Sequence, residues 1–209
     1  MHSYYYNGLH KREWCQHRLK SLAYAVKHYR ARHGELPRDL PTTSGATLTW
    51  RVRLLPDLGR KDLVEKYRLD SNWDGKNSFE LSQEYAFEIQ CTGGALNALA
   101  KSSTYCAVVG DETYWMDNAS PFRDTPSDYD CDTVMLLEAN PQRGPWHESR
   151  DLSLKEALEL LTTEPRWDWN KPDGHFANEM PPWKAIFYKP TLSRNVAMAD
   201  GSVRSLYPP

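Results

Sequence analysis

The chain lacks any long apolar run. Its longest apolar stretches, residues 134–137 and 106–109, fall far short of the ~20 residues that a membrane-spanning helix needs. Its opening residues, MHSYYYNGLHKREW, hold neither the apolar stretch nor the small-residue cleavage site of a signal peptide. The formal net charge is only -2, which argues against a broad basic surface. We therefore expect a soluble chain that does not bind nucleic acid.

Several catalytic and binding motifs are also missing. The four cysteines, Cys15, Cys91, Cys106 and Cys131, form no C-x-x-C pair, which excludes zinc ribbons and thioredoxin-like sites. Neither phosphate-binding glycine loop, G-x-x-x-x-G-K-[ST] or G-x-G-x-x-G, is present, and there is no G-x-S-x-G nucleophile elbow. The even cysteine count permits two disulfides in more than one connectivity, and buried free thiols are the alternative.

One amphipathic helix is the clearest element that the sequence contains. Apolar residues three and four apart form a single stripe between Glu13 and Arg32, comprising Cys15, Leu19, Leu22, Val26 and Tyr29. Gly34 supplies a C-terminal stop, and Pro37 prevents continuation. The 209 residues, 40% of them hydrophobic, suffice for one core. We predict a tail over residues 1–12 and a single globular domain over residues 13–209.

Shorter elements follow along the chain. Alternation in residues 49–56 predicts a strand or extended segment, residues 61–67 a short helix, and residues 104–109, 133–137 and 185–189 further strands. Residues 70–78 are dense in turn formers, and residues 164–182 read as an irregular insertion. A capping box, Ser153 to Glu156, opens a helix that Pro165 ends, with Leu154, Ala157, Leu158 and Leu161 predicted to face inward. The order indicates an α+β domain with a mainly antiparallel sheet and long loop insertions.

The segment NVAMADGSVRSL near the end predicts a β-hairpin around Asp200 and Gly201. A two-residue Asp-Gly loop favours a type I′ turn, which needs positive φ at both residues. That turn places Met198 opposite Val203, and Val196 opposite Ser205. We interpret Asp200 as a turn residue rather than a catalytic or metal-binding carboxylate.

Two acidic sets are candidates for metal ligands. Asp128, Asp130 and Asp132 copy the first three ligands of an EF-hand loop, but the later glycine and glutamate are missing. A looser calcium site is one interpretation, and a solvated acidic loop is the other. His175 and Glu179 are four residues apart, but the surrounding prolines argue against the helix that a metal pair would need. We expect no cofactor, with calcium as the alternative.

Two further features are open to a binding or catalytic interpretation. Glu138 ends a predicted apolar strand, where a buried carboxylate could pair with an arginine, bind a backbone amide or act in catalysis. Trp167, Trp169 and Trp183 could form a sugar-binding platform or clamp a long loop. No constellation requires an enzyme, so we expect none.

Several sequence blocks, in order, resemble a large family of bacterial pseudopilin-like envelope proteins. That family is a domain of unknown function with a prepilin-type N-terminus and a C-terminal H-x(9)-D-G signature. The matching blocks are Cys15-Gln16, Leu19-Lys20, Tyr29, His33-Gly34, Pro37, TWRVRLLPDL (49–58), DSNWDGKNS (70–78), STYCAVVG (103–110), VMLLEANPQRGPWHESRDL (134–152) and NVAMADGSVRSL (195–206). In the last block, Asn195, Asp200, Gly201 and Arg204 occupy signature positions.

The resemblance implies a pilin-like fold, in which an N-terminal helix lies on an antiparallel sheet. It also implies export to the cell envelope, a structural or assembly role like that of type II secretion and type IV pilus subunits, and partners among pilin-like subunits or secretion machinery. Cys15 with Cys91 is then the preferred disulfide, and Cys106 with Cys131 the second.

The chain departs from the family pattern at three places. The family's hydrophobic N-terminal segment, through which any membrane contact would be made, is absent. Pro190 stands where the signature has His, and Cys91-Thr92-Gly93 replaces the family's Cys-Pro-Ser-Asp. The leading hypothesis is a non-enzymatic pilin-like envelope subunit, and the alternative is an exported module that binds a glycan or a protein through its Trp- and Tyr-rich loops.

Overall fold

A long N-terminal helix lies across one face of a β-sheet. The computed structural model describes residues 3–41, 47–67, 84, 86–89, 105–115, 131–139, 146–148, 150–163, 175–176 and 192–207, with only the backbone described for 3–12, 87, 175–176 and 192. Helix α1 spans Ser3–His33 and therefore begins before the predicted start at Glu13. The division into a tail and a domain stays a prediction.

The predicted apolar stripe of α1 is confirmed as its buried face. Cys15, Leu19, Leu22 and Val26 are fully buried, and Tyr29 is nearly so. Arg30, Arg32 and His33 lie in the last turn, where positive charge is favourable for the helix dipole. Gly34 ends the helix with φ of +72°, and its N–H donates to the Arg30 carbonyl at 2.8 Å. No described helix has both the length and the apolar character required to cross a membrane.

The described part of the chain contains one six-stranded sheet. Its strands are β3 (Tyr105–Val109), β4 (Val134–Glu138), β5 (Leu152–Ser153), β6 (His175–Phe176), β7 (Leu192–Met198) and β8 (Val203–Leu206). The order is β5-β3-β4-β7, and both β6 and β8 pair with β7. Only the two-residue β5 runs parallel to its neighbour. The α+β class and the mainly antiparallel sheet are therefore confirmed.

Both faces of this sheet are buried. Because side chains alternate along a strand, Tyr105 and Ala107 join Leu19, Leu22 and Val26 in the core beneath α1. Cys106 and Val108 point the other way, into a second core. That second core is closed by helix α4 (Leu154–Thr162), so the sheet lies between two helices.

Helix α4 opens with the predicted capping box. The Glu156 N–H donates to Ser153 Oγ at 3.3 Å, and the Ser153 N–H donates to Glu156 Oε2 at 2.8 Å. The predicted inward face is wrong in part. Ala157 is buried and Leu160 and Leu161 are half-buried against the sheet, whereas Leu154 and Leu158 are exposed. Propensity and capping fix where the helix begins, but packing decides which of its leucines face the sheet.

A small two-stranded ribbon and two short helices follow α1. Strands β1 (Leu40–Pro41) and β2 (Thr47–Leu48) pair in that ribbon, and helix α3 (Lys61–Lys66) confirms the predicted second helix. The strand predicted over residues 49–56 is wrong, because Trp50–Leu54 forms helix α2. Asp39 stabilises its start by accepting the Trp50 N–H at 2.7 Å, a contact that local alternation does not reveal.

The hairpin at Asp200-Gly201 is confirmed, but its turn type and register are not as predicted. Only Gly201 has positive φ (+88°), and its N–H donates to the Met198 carbonyl at 2.9 Å. This arrangement matches a type I turn followed by a glycine bulge rather than a type I′ turn. The added residue shifts the pairing, so that Val203 lies opposite Ala197, and Ser205 opposite Asn195.

Some sequence predictions fall outside the described residues. These are the loop over residues 70–78, the strand over 185–189 and, apart from the backbone of His175–Phe176, the insertion over 164–182.

We expect Leu22→Asp to unfold the domain. The Leu22 side chain lies on the buried face of α1 and is fully buried. An unpaired carboxylate there loses its hydration without gaining a partner. Thermal unfolding followed by circular dichroism measures the effect, with the exposed His17→Asp as the control on the same helix. A folded Leu22→Asp protein with an unchanged melting temperature would show that the stripe is not the core-facing side.

Candidate functional site

A network of buried and half-buried polar side chains joins α1 to the hairpin; we call Gln16, Glu138, Asn195 and Ser205 the helix–hairpin network. Gln16 Nε2 donates to Asn195 Oδ1 at 3.2 Å and to Ser205 Oγ at 2.9 Å. Ser205 Oγ donates to Asn195 Oδ1 at 2.8 Å, and Asn195 Nδ2 donates to Glu138 Oε2 at 2.8 Å. Asn195 is fully buried and Glu138 nearly so. Each bond therefore satisfies a group that would otherwise be costly to bury.

Strand alternation explains why these side chains meet. Asn195 and Ala197 point toward α1, while Val196 and Met198 point toward α4. Asn195 and Ser205 are direct partners in the β7–β8 register. Glu138 is the last residue of β4, which also pairs with β7. The hairpin register therefore determines whether Gln16 finds its two acceptors.

Tyr105 links this network to a second one. Its hydroxyl donates to the Cys15 carbonyl of α1 at 3.0 Å, and its own carbonyl accepts from Arg51 at 3.0 Å. Burial raises the pKa of the Tyr105 phenol well above its usual value; the nearby Glu138 carboxylate acts in the same direction, and Arg18 opposes it. The phenol thus stays protonated at neutral pH and acts as a hydrogen-bond donor.

The second network is built around a buried ion pair; we call Trp50, Arg51 and Asp151 the Arg51 junction. Arg51 is 1% exposed, and its guanidinium meets Asp151 Oδ1 at 2.8 Å. It also donates to the carbonyl of Glu148 at 3.1 Å. Asp151 accepts in addition from Trp50 Nε1 at 2.8 Å and from the Ala107 N–H at 2.9 Å.

The Arg51 junction fixes three segments that are distant in sequence. The guanidinium carbon lies 4.4 Å from the centre of the Trp50 ring, within range of a cation–π contact. Helix α2, strand β3 and the segment leading into β5 all supply partners. A guanidinium has several donors in a fixed plane, so it can hold three segments in one geometry. The donors and acceptors of this site bond to one another, which accounts for the burial of the ion pair.

The blocks that carried the family resemblance converge in these two networks. Cys15-Gln16, Trp50-Arg51, Tyr105, Glu138, Asp151 and Asn195 come from five blocks of the sequence, with Glu138 and Asp151 in the same one. Each supplies a side chain or a carbonyl to the bonds described above. The order of blocks along the chain therefore corresponds to a set of contacts between helix and sheet.

Asp200 has turn geometry and no catalytic partner among the residues that bond to it. Its Oδ1 accepts the Ser202 N–H at 2.7 Å, and its carbonyl accepts Lys27 Nζ at 2.9 Å. The Ser202 hydrogen bonds lower the pKa of Asp200. A lowered folded-state pKa adds stability above the unfolded value of about 4, and that stability is lost as the pH falls through the folded value. Lys27 attaches the hairpin tip to α1.

Neither acidic candidate set can be assembled from described residues. Asp128, Asp130 and Glu179 lie outside them, and for His175 only the backbone is described. Asp132 is highly exposed and lies 3.7 Å from the Arg204 guanidinium. Within the described ranges, no group of three or more His, Cys, Asp or Glu side chains is placed to hold a metal ion. Trp167, Trp169 and Trp183 also lie outside the described residues.

The structure corrects one of the two predicted disulfides. Cys106 is a buried free thiol and Cys131 an exposed one, so a bond between them is wrong. Cys106 lies on the α4 face of β3, directed into the second core. Cys15 is disulfide-bonded, although no disulfide joins two described residues. Cys91 lies outside them, and its pairing with Cys15 stays a prediction.

Sequence analysis missed the roles of Arg51, Asp151 and Gln16. The strand predicted over residues 49–56 would place Arg51 on the face opposite Trp50 and Val52, yet Arg51 is almost fully buried. If residues 50–54 are taken as a helix, Trp50, Arg51 and Leu54 lie on one side of it. That grouping is the one signal in the sequence that could have indicated a buried Arg51. Asp151 and Gln16 gave no signal beyond their place in the family blocks.

Comparison with known proteins identifies a family. A family model described as "Protein of unknown function (DUF1559)" matches residues 11–150, which include most of α1 and all of α2, β3 and β4. The β7–β8 hairpin lies beyond the matched residues. No curated protein and no solved structure matches the chain.

We expect Asp151→Ala to lower the free energy of unfolding by about 3–5 kcal/mol, because it leaves the Arg51 guanidinium buried without its carboxylate. Urea denaturation measures the change. Glu84→Ala is the matched control: it removes an ion pair with Lys66 in which both side chains are substantially exposed, and it should cost less than ~1 kcal/mol. Equal losses in the two variants would contradict a structural role for the Arg51 junction.

Asn195→Asp should destabilise the protein in a pH-dependent way. The new carboxylate would lie beside Glu138, where Asn195 Nδ2 now donates at 2.8 Å, and two buried like charges raise the pKa of the pair. A raised folded-state pKa means that the loss, at least ~2 kcal/mol at pH 7, shrinks as the pH falls toward 5. Asn195→Ala is the control, and its loss should vary less with pH because it adds no second carboxylate beside Glu138. Parallel pH profiles for the two variants would argue against close contact with Glu138.

Proposed function

The chain belongs to the family described as "Protein of unknown function (DUF1559)", and we propose that it is a non-enzymatic, pilin-like structural subunit of the cell envelope. Its partners in this proposal are other pilin-like subunits or secretion machinery. Its location is extracytoplasmic.

The observation that carries the proposal is the attachment of α1 along the sheet. The helix is held near Cys15 by Tyr105, at Gln16 by the hairpin, and at Lys27 by the hairpin tip. Between these points its apolar stripe packs on β3, β4 and β7. A long helix held at several points along a sheet is the arrangement that the family resemblance implies.

The use of the motif residues supports a role other than catalysis. Glu138, the buried carboxylate that could have served as an acid or base, accepts a hydrogen bond from the Asn195 side chain. Asp200 closes a turn, and Arg51 and Asp151 neutralise each other. Hydrogen bonds among these groups account for their burial without a substrate.

The location of the native protein in cells that express its own gene tests this proposal. Fractionation and protease accessibility should place the protein in the envelope and outside the cytosol, with a cytosolic enzyme as the internal control. Crosslinking in intact cells should then connect it to other subunits in which a long helix packs on a sheet. A protein that stays with the cytosolic control would overturn the proposal. A saturable glycan signal that is lost in Trp167 and Trp169 variants would favour the binding-module alternative.

A further inference from the structure

The side of α1 turned away from the sheet carries a second stripe, which we call the α1 outer face. Its exposed residues follow one another at intervals of three and four and are Trp14, His17, Ser21, Tyr24, His28 and Ala31. Trp14 is 59% exposed and Tyr24 is 52% exposed. This interval is the one by which one helix presents a seam to another.

A groove runs along this outer face beside Asp57. It encloses about 640 Å³, and its lining includes Tyr24, Lys27, His28 and Ala31. Asp57 fixes one wall, since its Oδ1 accepts from Arg32 at 2.5 Å and lies 3.1 Å from His28 Nδ1. Lys27 places a positive charge on the rim, whereas the half-exposed Arg32 is paired with Asp57. An apolar floor with a basic rim suits a partner that presents apolar side chains next to carboxylates.

The outer side of α4 has this complementary character. Leu154 and Leu158 are exposed one helical turn apart, at 37% and 52%. Glu156 and Glu159 are exposed on the same short helix, and Lys155 is its one exposed cation. Ala157 faces the sheet, and Arg194 Nε donates to the Leu160 carbonyl at 3.0 Å, so this helix is a fixed platform. We call Leu154, Leu158 and Glu159 the α4 outer face.

The two outer faces lie on opposite sides of one sheet. The core beneath α1 contains Ala197, whereas the core beneath α4 contains Val196 and Met198 from the same strand. One copy therefore cannot bring its own two faces together. A contact between the α4 face of one copy and the α1 face of the next is heterologous, and each pair retains one open face at either end.

We propose that copies of this chain stack head to tail, with Leu154 and Leu158 of one copy seated in the α1 groove of the next and Glu159 facing its basic rim. This inference rests on the proposed assembly function and names a second copy as the partner. The leucines cover the exposed Tyr24 ring, and the carboxylate meets Lys27. Repetition of this contact gives an open-ended series rather than a closed dimer.

Mixing two face variants separates this arrangement from every symmetric one. Tyr24→Glu blocks the α1 face and Leu158→Glu blocks the α4 face, and both positions are about half exposed, so folding should persist. In sedimentation velocity, the parent chain should show a sedimentation coefficient that rises steadily with concentration, and each variant alone should stay monomeric. An equimolar mixture should form a heterodimer and nothing larger, because each variant retains one intact face. Leu40→Glu, at an exposed site on neither face, should behave as the parent does.

Three outcomes would overturn the proposed contact: a parent chain that stays monomeric at all concentrations, single variants that associate as the parent does, or a mixture that remains monomeric. His28→Glu and Leu154→Glu provide a second pair if circular dichroism shows that either first variant is misfolded. The result is independent of cellular location. If the protein associates head to tail but is cytosolic, the proposed contact stands and the proposed envelope function fails. If the protein is in the envelope but monomeric, the envelope location stands and the proposed contact fails.

Discussion

The fold depends on the burial of Asn195 between α1 and the sheet. Its side chain is fully buried, and it satisfies both its acceptor and its donor, taking hydrogen bonds from Gln16 and Ser205 and giving one to Glu138. A buried amide with unmet hydrogen bonds costs ~1–3 kcal/mol, so the network favours one register of the hairpin and one position of the helix over it. Apolar packing alone would allow the helix to shift along the strands, because the stripe of α1 is aliphatic for most of its length.

The sequence predicts the parts of this fold that depend on local periodicity and capping. The stripe from Cys15 to Tyr29, the stop at Gly34 and the capping box at Ser153 follow from patterns a few residues long, and all are confirmed. The strands predicted over residues 104–109 and 133–137 are also confirmed. Short runs of apolar and β-branched residues are typical of strands buried on both faces, so these two could be predicted locally.

The predictions that failed depend on contacts between distant residues. Residues 50–54 alternate like a strand, yet Asp39 and Asp151 bind Trp50, and the segment is a helix. The hairpin register is shifted because only Gly201 adopts positive φ, while Asp200 accepts the Ser202 N–H. Leu158 faces outward because Ala157, Leu160 and Leu161 are the side chains of α4 that pack on the sheet. No single stretch of sequence contains these choices, and no pattern could have paired Arg51 with an aspartate a hundred residues away.

The candidate site shows how separate sequence blocks can correspond to one set of contacts inside a fold. The blocks that carry the resemblance meet in the helix–hairpin network and in the Arg51 junction, and Tyr105 bonds to elements of both. The outer surfaces of α1 and α4, in contrast, carry exposed aromatic and aliphatic groups that these networks do not use. This division suits a subunit whose interior fixes a helix on a sheet and whose exterior contacts other subunits.

Native-state hydrogen exchange of the α1 backbone tests the central claim most directly. If the buried network and the apolar stripe hold the helix to the sheet, amides of residues 19–29 should exchange with the same opening free energy as those of β7, in one cooperative unit. Rapid exchange along α1 while β7 remains protected would show that the helix opens independently of the sheet, and would contradict the account.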